Sequence, residues 1–421
     1  MRVCVAGLWH LGSVTAACLA HVGHDVIAFD EDADVVERMR RGHSPVGEPG
    51  LDELICAGID AGTLTFTDDR AQALAGADVL WIAYDTPVDD DDRADVDWVA
   101  QRARALLAER DDDTFAVVSS QLPVGSTRSF GVDRIACIPE NLQLGRALDA
   151  FLQPERIVVG VDAGTDRSAL ERLLAPITDR IEWMGIESAE LTKHALNAFL
   201  ATSVAFANEL AVLAERVGAD AREVARGLKS DRRVGPRAYV NPGAAFAGGT
   251  LARDVEFLTK IGEREGVATH LLSAVGPSND AHLEWPRRAV ATLLNGDHGP
   301  VAVWGLAYKV GTDTLRRSSA LNLCRTLAGD GITIRTHDPA VRALPPDVPP
   351  EITLCATAEE ALDGARALVV ATPWPEFRSV TADDVVARMT VPNVVDAAGA
   401  LADTLGSDPR VRYVTVGKAP T

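Results

Sequence analysis

A glycine-bounded turn near the start of the chain contains the first residues that could bind a ligand. The turn lies between a predicted strand, 2–6, and a predicted helix, 13–21, and consists of Gly7, Leu8, Trp9, His10, Leu11 and Gly12. In dinucleotide-binding folds, such a turn and the helix N-terminus that follows it present backbone N–H groups to a pyrophosphate. The spacing therefore predicts a dinucleotide site at this turn.

Asp30 is predicted to complete that site. It stands 18 residues after Gly12, at the end of a second predicted strand, where an acidic residue accepts the ribose hydroxyls of the cofactor. The two residues after it are also acidic, so no adjacent cation can receive the 2′-phosphate of NADP, and NAD is expected. Trp9 departs from the usual glycine pattern of such turns, because it takes the place of the middle glycine that lets the backbone approach the pyrophosphate. Taken alone, the pattern fits NAD binding and a purely structural turn equally well.

Two further predicted strands end in polar loops. The strand at 79–83 is followed by Thr86 and Pro87, and the next strand is followed by Ser120 and Gln121. Ligands of doubly wound sheets bind outside the carboxyl ends of the strands. These four residues are therefore predicted to lie beside the cofactor.

A long helical run covers residues 187–217 and contains no internal Gly or Pro. Lys193 and Asn197 are four residues apart within it, so they share one face of the helix. Such a pair among Ala and Leu can be a base or proton donor with its hydrogen-bonding neighbour, placed beside a sugar hydroxyl. It can also be a surface lysine with its stem along apolar surface, next to an asparagine at a helix end. Spacing alone leaves both readings open.

The order of the predicted elements sets the fold class. Strands alternate with helices in the first part of the chain, which builds a parallel, doubly wound sheet. Residues 301–306 repeat the opening strand-to-glycine pattern, and a helix, Gly331, a strand and Asp338 follow. Between the halves lie the long helix, a glycine-rich loop at 241–250 and a helix at 254–265. We therefore predict an α/β protein with two Rossmann-like doubly wound parallel sheets, joined by a long central helix and a helical middle domain.

Composition excludes several function classes. The 421 residues carry a formal net charge of -20, which would repel nucleic acid and anionic membrane surfaces. The N-terminus lacks a signal-peptide pattern, and no unbroken apolar run reaches the roughly 18 residues of a membrane span. The six cysteines are scattered without the close pairs of zinc or redox sites, and the acidic run 89–92 is read as a solvated loop. We expect a cytoplasmic protein that binds no metal, nucleic acid or membrane.

A set of motifs follows in order along nearly the whole chain. The motifs occupy 7–12 with Asp30, 42–51, 86–87, 139–142, 190–193 with Asn197, 208–209, 231–235, 246–249 with Asp254, and 305–309 with 312–316. Together they resemble the UDP-glucose/GDP-mannose dehydrogenase family. The resemblance implies an NAD-binding domain at 1–185, a helical dimerisation domain at 186–295 and a C-terminal nucleotide-sugar-binding domain at 296–421.

The resemblance also implies a role for individual residues. Those implied to handle the reacting hydroxyl and a catalytic water are Glu140, Lys193, Asn197 and Asp254. Those implied to contact the nucleotide sugar include the first three of these, together with Asn141, Leu142, Arg233, Phe246, Gly248, Gly249, Tyr308 and Lys309. Arg233 would reach the substrate of the partner subunit, and Arg316 would lie near the cofactor.

The chain departs from the family at the residue that matters most for chemistry. The family's nucleophilic cysteine follows a Gly-Gly-Ser run, and here Thr250 takes its place. Other departures are Gln121 for Thr, Arg253 for Lys, and Ala398 where members often have an Arg directed at the nucleotide phosphates. A thiolate holds the aldehyde covalently between two oxidations, whereas an unactivated hydroxyl is a far weaker nucleophile. We therefore expect catalysis without a covalent cysteine, with Thr250 at the vacant position.

Two chemistries remain open for an NAD-dependent oxidoreductase acting on CH–OH groups. One is full oxidation to an acid through an aldehyde hydrate, and the other is a single oxidation that stops at the carbonyl. A third possibility is a protein without turnover that binds NAD or a sugar nucleotide as a regulator. Retention of Lys193, Asn197 and Asp254 together favours an enzyme, since a binding module does not need that set.

The long helix also predicts a homodimer. It is too long and too apolar to be covered by one domain's neighbours. The apolar residues expected to face a partner chain are Ala189, Leu196, Leu200, Val204, Leu210 and Leu213.

Overall fold

In the computed structural model, residues 1–87, 94–246 and 249–419 are described. They divide into two units, Met1–Ala195 and Leu196–Thr421. The predicted three-part boundaries at 185 and 295 stay a prediction. The acidic run 89–92 and Gly248 lie outside the described residues.

The first unit is built on an eight-stranded sheet. Its strands are β1 Arg2–Ala6, β2 Asp25–Phe29, β3 Leu64–Thr67, β4 Val79–Ile82, β5 Phe115–Val118, β6 Ile135–Cys137, β7 Ile157–Gly160 and β8 Ile181–Met184. Their order is β3-β2-β1-β4-β5-β6-β7-β8, and neighbours are parallel except β6 and β7. The central strands are apolar at every position because helices cover both faces, and β4 and β5 are fully buried.

Helices surround this sheet. They are α1 His10–His21, α2 Ala33–Arg40, α3 Leu51–Asp60, α4 Arg70–Leu74, α5 Val96–Glu109, α6 Ser126–Ser129, α7 Ala147–Leu152 and α8 Ser168–Leu174. The long helix α9, Ile186–Val217, begins in the first unit and ends in the second.

The second unit contains a helical part and a six-stranded parallel sheet. Its further helices are α10 Ala221–Ser230, α11 Gly249–Glu265, α12 His270–Leu283, α13 Trp285–Leu294, α14 Ser319–Gly329, α15 Ala358–Leu362 and α16 Ala382–Arg388, with a 3₁₀ turn at Pro375–Ser379. Its strands are β9 Val301–Trp304, β10 Ile334–His337, β11 Ile352–Leu354, β12 Ala367–Val370, β13 Asn393–Asp396 and β14 Arg412–Val414. The order β11-β10-β9-β12-β13-β14 repeats that of the first six strands, which is the Rossmann order and confirms the predicted fold class.

Two predicted elements are corrected in the second unit. The helix expected at 254–265 begins at Gly249, so Gly249 and Thr250 form its first turn instead of ending a loop. A first turn tolerates such residues because its N–H groups need no intrahelical partner. The helix expected to follow the second glycine turn directly, α14, begins only at Ser319, after the irregular segment 305–318.

Helix α9 confirms the predicted long helix but corrects one expectation about it, the exposure of Ala189. By length and composition it could cross a membrane, although core helices of soluble proteins pass the same test, and 44% of its most apolar window is buried. Ala189, expected on a partner-facing surface, is fully buried in the core of the first unit. Leu213 is 61% exposed, as predicted. Two large side chains that the sequence analysis did not single out are also exposed, Phe199 at 66% and Phe206 at 52%.

Candidate active site and cofactor site

Two glycines shape the turn after β1. Gly7 has a φ of +93°, and a Cβ atom added there would lie 2.8 Å from the Cα atom of Tyr84, which follows β4. A Cβ atom on Gly12 would lie 1.5 Å from the carbonyl oxygen of Gly7. Only glycine permits both approaches. As a result, the N-terminus of α1 is held against the carboxyl ends of β1 and β4.

Asp30 lies at the carboxyl end of β2, as the sequence predicts. Its Oδ2 accepts the N–H of Leu8 at 2.7 Å, and its Oδ1 accepts the N–H of Asp32 at 3.0 Å. Burial raises the pKa of this carboxyl group, which is only partly enclosed. An ionised carboxylate offers about four lone-pair positions, so two bonds leave room for two ribose hydroxyls. The glycine cradle and Asp30 therefore fit NAD.

Asp85 is a residue of this site that the sequence analysis missed. It follows β4 by three residues, and its Oδ2 accepts the N–H of Leu11, in the first turn of α1, at 2.9 Å. Burial raises the pKa of the Asp85 carboxyl group to about 6. Its position directly before Thr86, at the predicted ligand edge of the sheet, is the signal that could have identified it.

His10 is held by a buried carboxylate from the 42–51 motif. Glu48 accepts a hydrogen bond from His10 Nε2 at 3.0 Å and from the N–H groups of Gly145 at 2.9 Å and Ala147 at 2.8 Å. Glu48 thus connects the glycine turn to the start of α7. The 42–51 motif therefore has a structural role next to the predicted pyrophosphate position.

The Lys193–Glu140 ion pair lies in a small pocket of the first unit. Lys193 Nζ is 3.0 Å from Glu140 Oε1, and only 11% and 18% of the two side chains are exposed. The pocket is lined by Ser119, Ser120, Gln121, Leu122, Thr127, Cys137, Pro139, Glu140, Glu190, Lys193 and His194. The structure therefore brings four predicted site residues together, which favours the functional reading of Lys193 over a surface lysine.

The walls of this pocket are fixed by hydrogen bonds. Thr86 Oγ1 donates to the carbonyl oxygen of Gln121 at 2.7 Å, which ties the two predicted polar loops together. Glu190 accepts the N–H groups of Gly125 at 2.6 Å and Thr127 at 2.8 Å. The N–H of Leu142 donates to Glu140 Oε2 at 2.9 Å, which leaves the other oxygen for Lys193.

Cys137 also lines the pocket, but it is a poor nucleophile. It lies in β6, is 5% exposed and packs in the hydrophobic core. Burial raises the pKa of its thiol far above the usual range, and the nearby Glu190 carboxylate raises it further. The thiol therefore stays protonated at neutral pH.

Asn197 and Asp254 form a second polar pair, within the second unit. Asn197 Nδ2 donates to Asp254 Oδ2, and Asp254 is completely buried on α11. This bond fixes the orientation of the Asn197 amide. Lys193 and Asn197 are one turn apart on α9, so the same helix supplies one member of each polar pair.

The loop before α11 is anchored by three side chains of the second unit. Asn208 on α9 exchanges hydrogen bonds with the backbone of Gly243 and Ala244. Asn279 does the same with both backbone groups of Phe246, and His282 Nε2 lies 2.9 Å from the carbonyl oxygen of Gly243. The loop leads into the first turn of α11, where Thr250 is exposed.

The remaining predicted substrate residues lie in exposed or loop positions. Tyr308 and Lys309 follow β9, with Lys309 Nζ 5.6 Å from the centre of the Tyr308 ring, and Arg316 lies in the same loop. Burial raises the pKa of Tyr308. Arg233 is 89% exposed at its side chain and pairs with Asp231 at 2.8 Å. These roles stay predictions.

A dinucleotide cradle beside a lysine–glutamate pair, together with a second sheet of the same strand order, is the arrangement expected of a two-sheet, NAD-dependent oxidoreductase. Family models for the UDP-glucose/GDP-mannose dehydrogenase family match the chain in three parts: the NAD binding domain at 1–178, the central domain at 187–281 and the UDP binding domain at 302–403. The chain belongs to this family.

Relatives and solved structures agree with this assignment. A UDP-glucose 6-dehydrogenase of Pseudomonas aeruginosa is 34% identical over 99% of this chain and 98% of its own length. The structure of a UDP-glucose dehydrogenase from Pyrobaculum islandicum is 30% identical, with a TM-score of 0.83, over 99% of this chain and 98% of its own. That of a UDP-D-ManNAc dehydrogenase from Pyrococcus horikoshii is 26% identical, with a TM-score of 0.85, over the full length of both chains. The protein is an NAD-dependent oxidoreductase that acts on a CH–OH group of a nucleotide sugar.

Proposed function

We propose that the protein oxidises a UDP-sugar, with UDP-glucose as the first candidate, without a covalent cysteine intermediate. UDP-glucose is the substrate named for the Pseudomonas aeruginosa relative. The proposal is supported by Thr250, which lies in the first turn of α11 and which the sequence resemblance assigns to the place of the family's cysteine. Cys324 and Cys355, the cysteines of the second unit, are buried, and so is Cys137 in the pocket.

The first oxidation needs a group that handles the hydroxyl proton. NAD, when bound, accepts the hydride. As the hydride leaves, the hydroxyl proton passes to a water molecule and from there to solvent. The Lys193 ammonium, held by Glu140 in a largely enclosed pocket, donates a hydrogen bond to the hydroxyl oxygen and stabilises the negative charge that develops there. This requires no cysteine.

The second oxidation replaces the thiol with water. Water adds to the aldehyde to give a hydrate, which loses a hydride and a proton and becomes the carboxylic acid. Asn197, with its amide fixed by Asp254, orients that water or the substrate hydroxyl. Full oxidation consumes one water and reduces two NAD per substrate, whereas a single oxidation reduces one and stops at the carbonyl.

Product stoichiometry tests this proposal. We expect two NADH per UDP-glucose consumed, and turnover that iodoacetamide leaves largely intact. Thr250→Ala should cost no more than about ten- to a hundredfold in kcat, about 1.4 to 2.7 kcal/mol, and Lys193→Ala far more. One NADH per substrate would establish the single oxidation instead. Labelling of a substrate-protected cysteine, with loss of turnover, would contradict the cysteine-free site.

We also propose that the protein is a homodimer through α9. Phe199, Phe206 and Leu213 are seven residues apart and all more than half exposed, so they form one apolar stripe along the helix. Light scattering should report twice the monomer mass of 44.7 kDa. Phe206→Glu should shift the protein to monomer, and Glu209→Gln, on the same helix, should not. The cytoplasmic location expected from the sequence stays a prediction.

A further inference from the structure

We propose that the Asp85 carboxylate is an internal competitor of the cofactor's pyrophosphate at the N-terminus of α1. The proposal concerns cofactor binding alone. It rests on the NAD-binding domain of this family and is independent of which sugar is oxidised or how often.

The position of Asp85 in the sheet carries the argument. The strand order reverses between β1 and β4, and in doubly wound sheets the ligand lies in the crevice at that point, at the carboxyl ends of the strands. Asp85 follows β4, and Leu11 lies in the first turn of the helix that follows β1. The bond of 2.9 Å between them therefore places an anion where the pyrophosphate meets backbone N–H groups.

A carboxylate and a phosphate bind to this helix N-terminus for the same reason. Both accept N–H groups, and both are stabilised by the positive end of the helix dipole. The two anions cannot share the place without mutual repulsion, because the site is partly shielded from water. Cofactor binding must then either displace Asp85 from Leu11 or leave it protonated.

The charged groups that face Asp85 come from two parts of the chain. His10 at the start of α1 favours the ionised form, and Glu140, from the loop after β6, disfavours it. Each of these has its own partner: His10 pairs with Glu48, and Glu140 pairs with Lys193. The dominant influence on Asp85 is burial, which raises its pKa to about 6 and makes the neutral form accessible near neutral pH.

The sign of the pH dependence follows from this competition. A ligand that prefers neutral Asp85 binds more tightly as pH falls through about 6, and more weakly as pH rises above it. In the limit where only the neutral form admits the pyrophosphate, apparent affinity falls about tenfold for each pH unit above 6. Displacement of the ionised side chain would flatten this slope but keep its sign.

Calorimetric titration of the full-length protein with ADP-ribose and NAD, at pH 5.5 and pH 8, tests the proposal. The variant is Asp85→Asn, whose amide oxygen still accepts the Leu11 N–H but has no charge. The matched control is Asp78→Asn. Asp78 lies at the other end of β4, where its carboxylate accepts the N–H of Arg2 at 2.8 Å. Adenosine, which has no phosphate, serves as the uncharged probe.

We expect Asp85→Asn to bind both pyrophosphate ligands at least about tenfold more tightly than the wild type at pH 8, and to lose most of the wild-type pH dependence. Asp78→Asn should bind like the wild type, and adenosine should bind all three proteins equally. Asp85→Ser, which keeps a neutral acceptor in a smaller side chain, provides the same comparison if Asp85→Asn does not fold.

Three results would overturn the proposal. One is equal or weaker binding of ADP-ribose by both Asp85 variants at pH 8. Another is an equal gain for adenosine, which would mean a reshaped pocket instead of a removed charge. The third is an undiminished pH slope in Asp85→Asn, which would assign the pH dependence of binding to a group other than Asp85. Because all readouts are binding constants, failure of the proposed oxidation chemistry would not affect them.

Discussion

The two sheets of this protein place an aspartate at the same point and use it differently. Asp30 follows β2 and Asp338 follows β10, the strand next to the first strand of each sheet. Each accepts the N–H of the leucine in the adjacent glycine turn, Leu8 or Leu306. The shared hydrogen bond shows that the two aspartates occupy equivalent positions in the two sheets.

Their remaining bonds differ. Asp30 accepts two N–H groups and is only partly buried, so it retains acceptor positions for a ligand. Asp338 is 2% exposed and accepts five N–H donors, those of Leu306, Ala307, Ala340, Val341 and the Trp374 indole. The first aspartate therefore has acceptor positions that can bind a ribose, whereas all acceptor positions of the second are used by hydrogen bonds within its own domain.

The glycine turns differ in a matching way. Ser13 Oγ donates to the carbonyl oxygen of Leu8, five residues earlier, and Ser318 Oγ donates to that of Leu306, twelve residues earlier. The second turn thus contains an insertion before its helix, with Tyr308 and Lys309 inside it. The first sheet has backbone N–H groups at a helix end next to its glycine turn, whereas the second has Lys309 in its inserted loop. We propose that the same strand order supports two modes of anion recognition.

The largest effect that this comparison predicts is on stability. Asp338→Ala leaves five N–H donors without their acceptor in a buried setting, so we expect a loss of about 3 to 5 kcal/mol. Asp30→Ala leaves two donors in a partly exposed setting and should cost about 1 to 2 kcal/mol. Thermal melting of the two variants and the wild type measures the difference. Equal shifts in Tm would mean that the two aspartates have the same role.

Much of this framework could be predicted from the sequence because the central strands are buried on both faces. The runs at 115–118 and 135–137 are wholly apolar, and the strands β5 and β6 have these bounds. The turn at Gly7 follows from a steric need that only glycine meets. The acid at Asp30 follows from its position at the end of the second strand, where a ribose needs acceptors. The reversal of direction between β6 and β7 has no such local signature.

The rest depends on contacts between distant parts of the chain. Asp85 and Leu11 are 74 residues apart, and no spacing rule links them. The face of α9 that stays exposed could not be chosen, because Ala and Leu occur all around that helix. Asp338 was identified by its position as the equivalent of Asp30, but its five donors come from three separate segments and give no pattern in the sequence.

A second prediction tests the cationic side chains of the second sheet. Lys309→Ala should raise KM for UDP-glucose by about ten- to a hundredfold, because a charge-assisted contact to a phosphate is lost, and should leave the Kd for NAD unchanged. Lys260→Ala is the control, since Lys260 is exposed and pairs with Glu256 one turn away on α11. An unchanged KM in Lys309→Ala would remove Lys309 from the substrate site.

A third prediction concerns cofactor choice at the first sheet. Wild-type protein should bind NAD clearly better than NADP, because Asp30 repels a 2′-phosphate. Asp30→Ala should narrow that preference by about tenfold, or about 1.4 kcal/mol, mainly by weakening NAD. Calorimetry with both cofactors measures it. Equal binding of both cofactors by the wild type would contradict the role of Asp30.

The smallest expected effect is at Trp9, which stands directly before α1 and is 53% exposed. Its carbonyl oxygen accepts the N–H of Ser13 at 3.1 Å, and a glycine there would keep that bond, so Trp9→Gly should change stability by only a few tenths of a kcal/mol. Removing the indole lets the backbone approach the pyrophosphate, and we expect NAD to bind about two- to fivefold more tightly. The equivalent residue of the second turn is Ala307, so Trp9→Ala copies the other sheet and should give an intermediate gain. If both variants lose NAD affinity, the indole packs against the cofactor, and the first turn then uses a side chain for recognition, as we propose for the second.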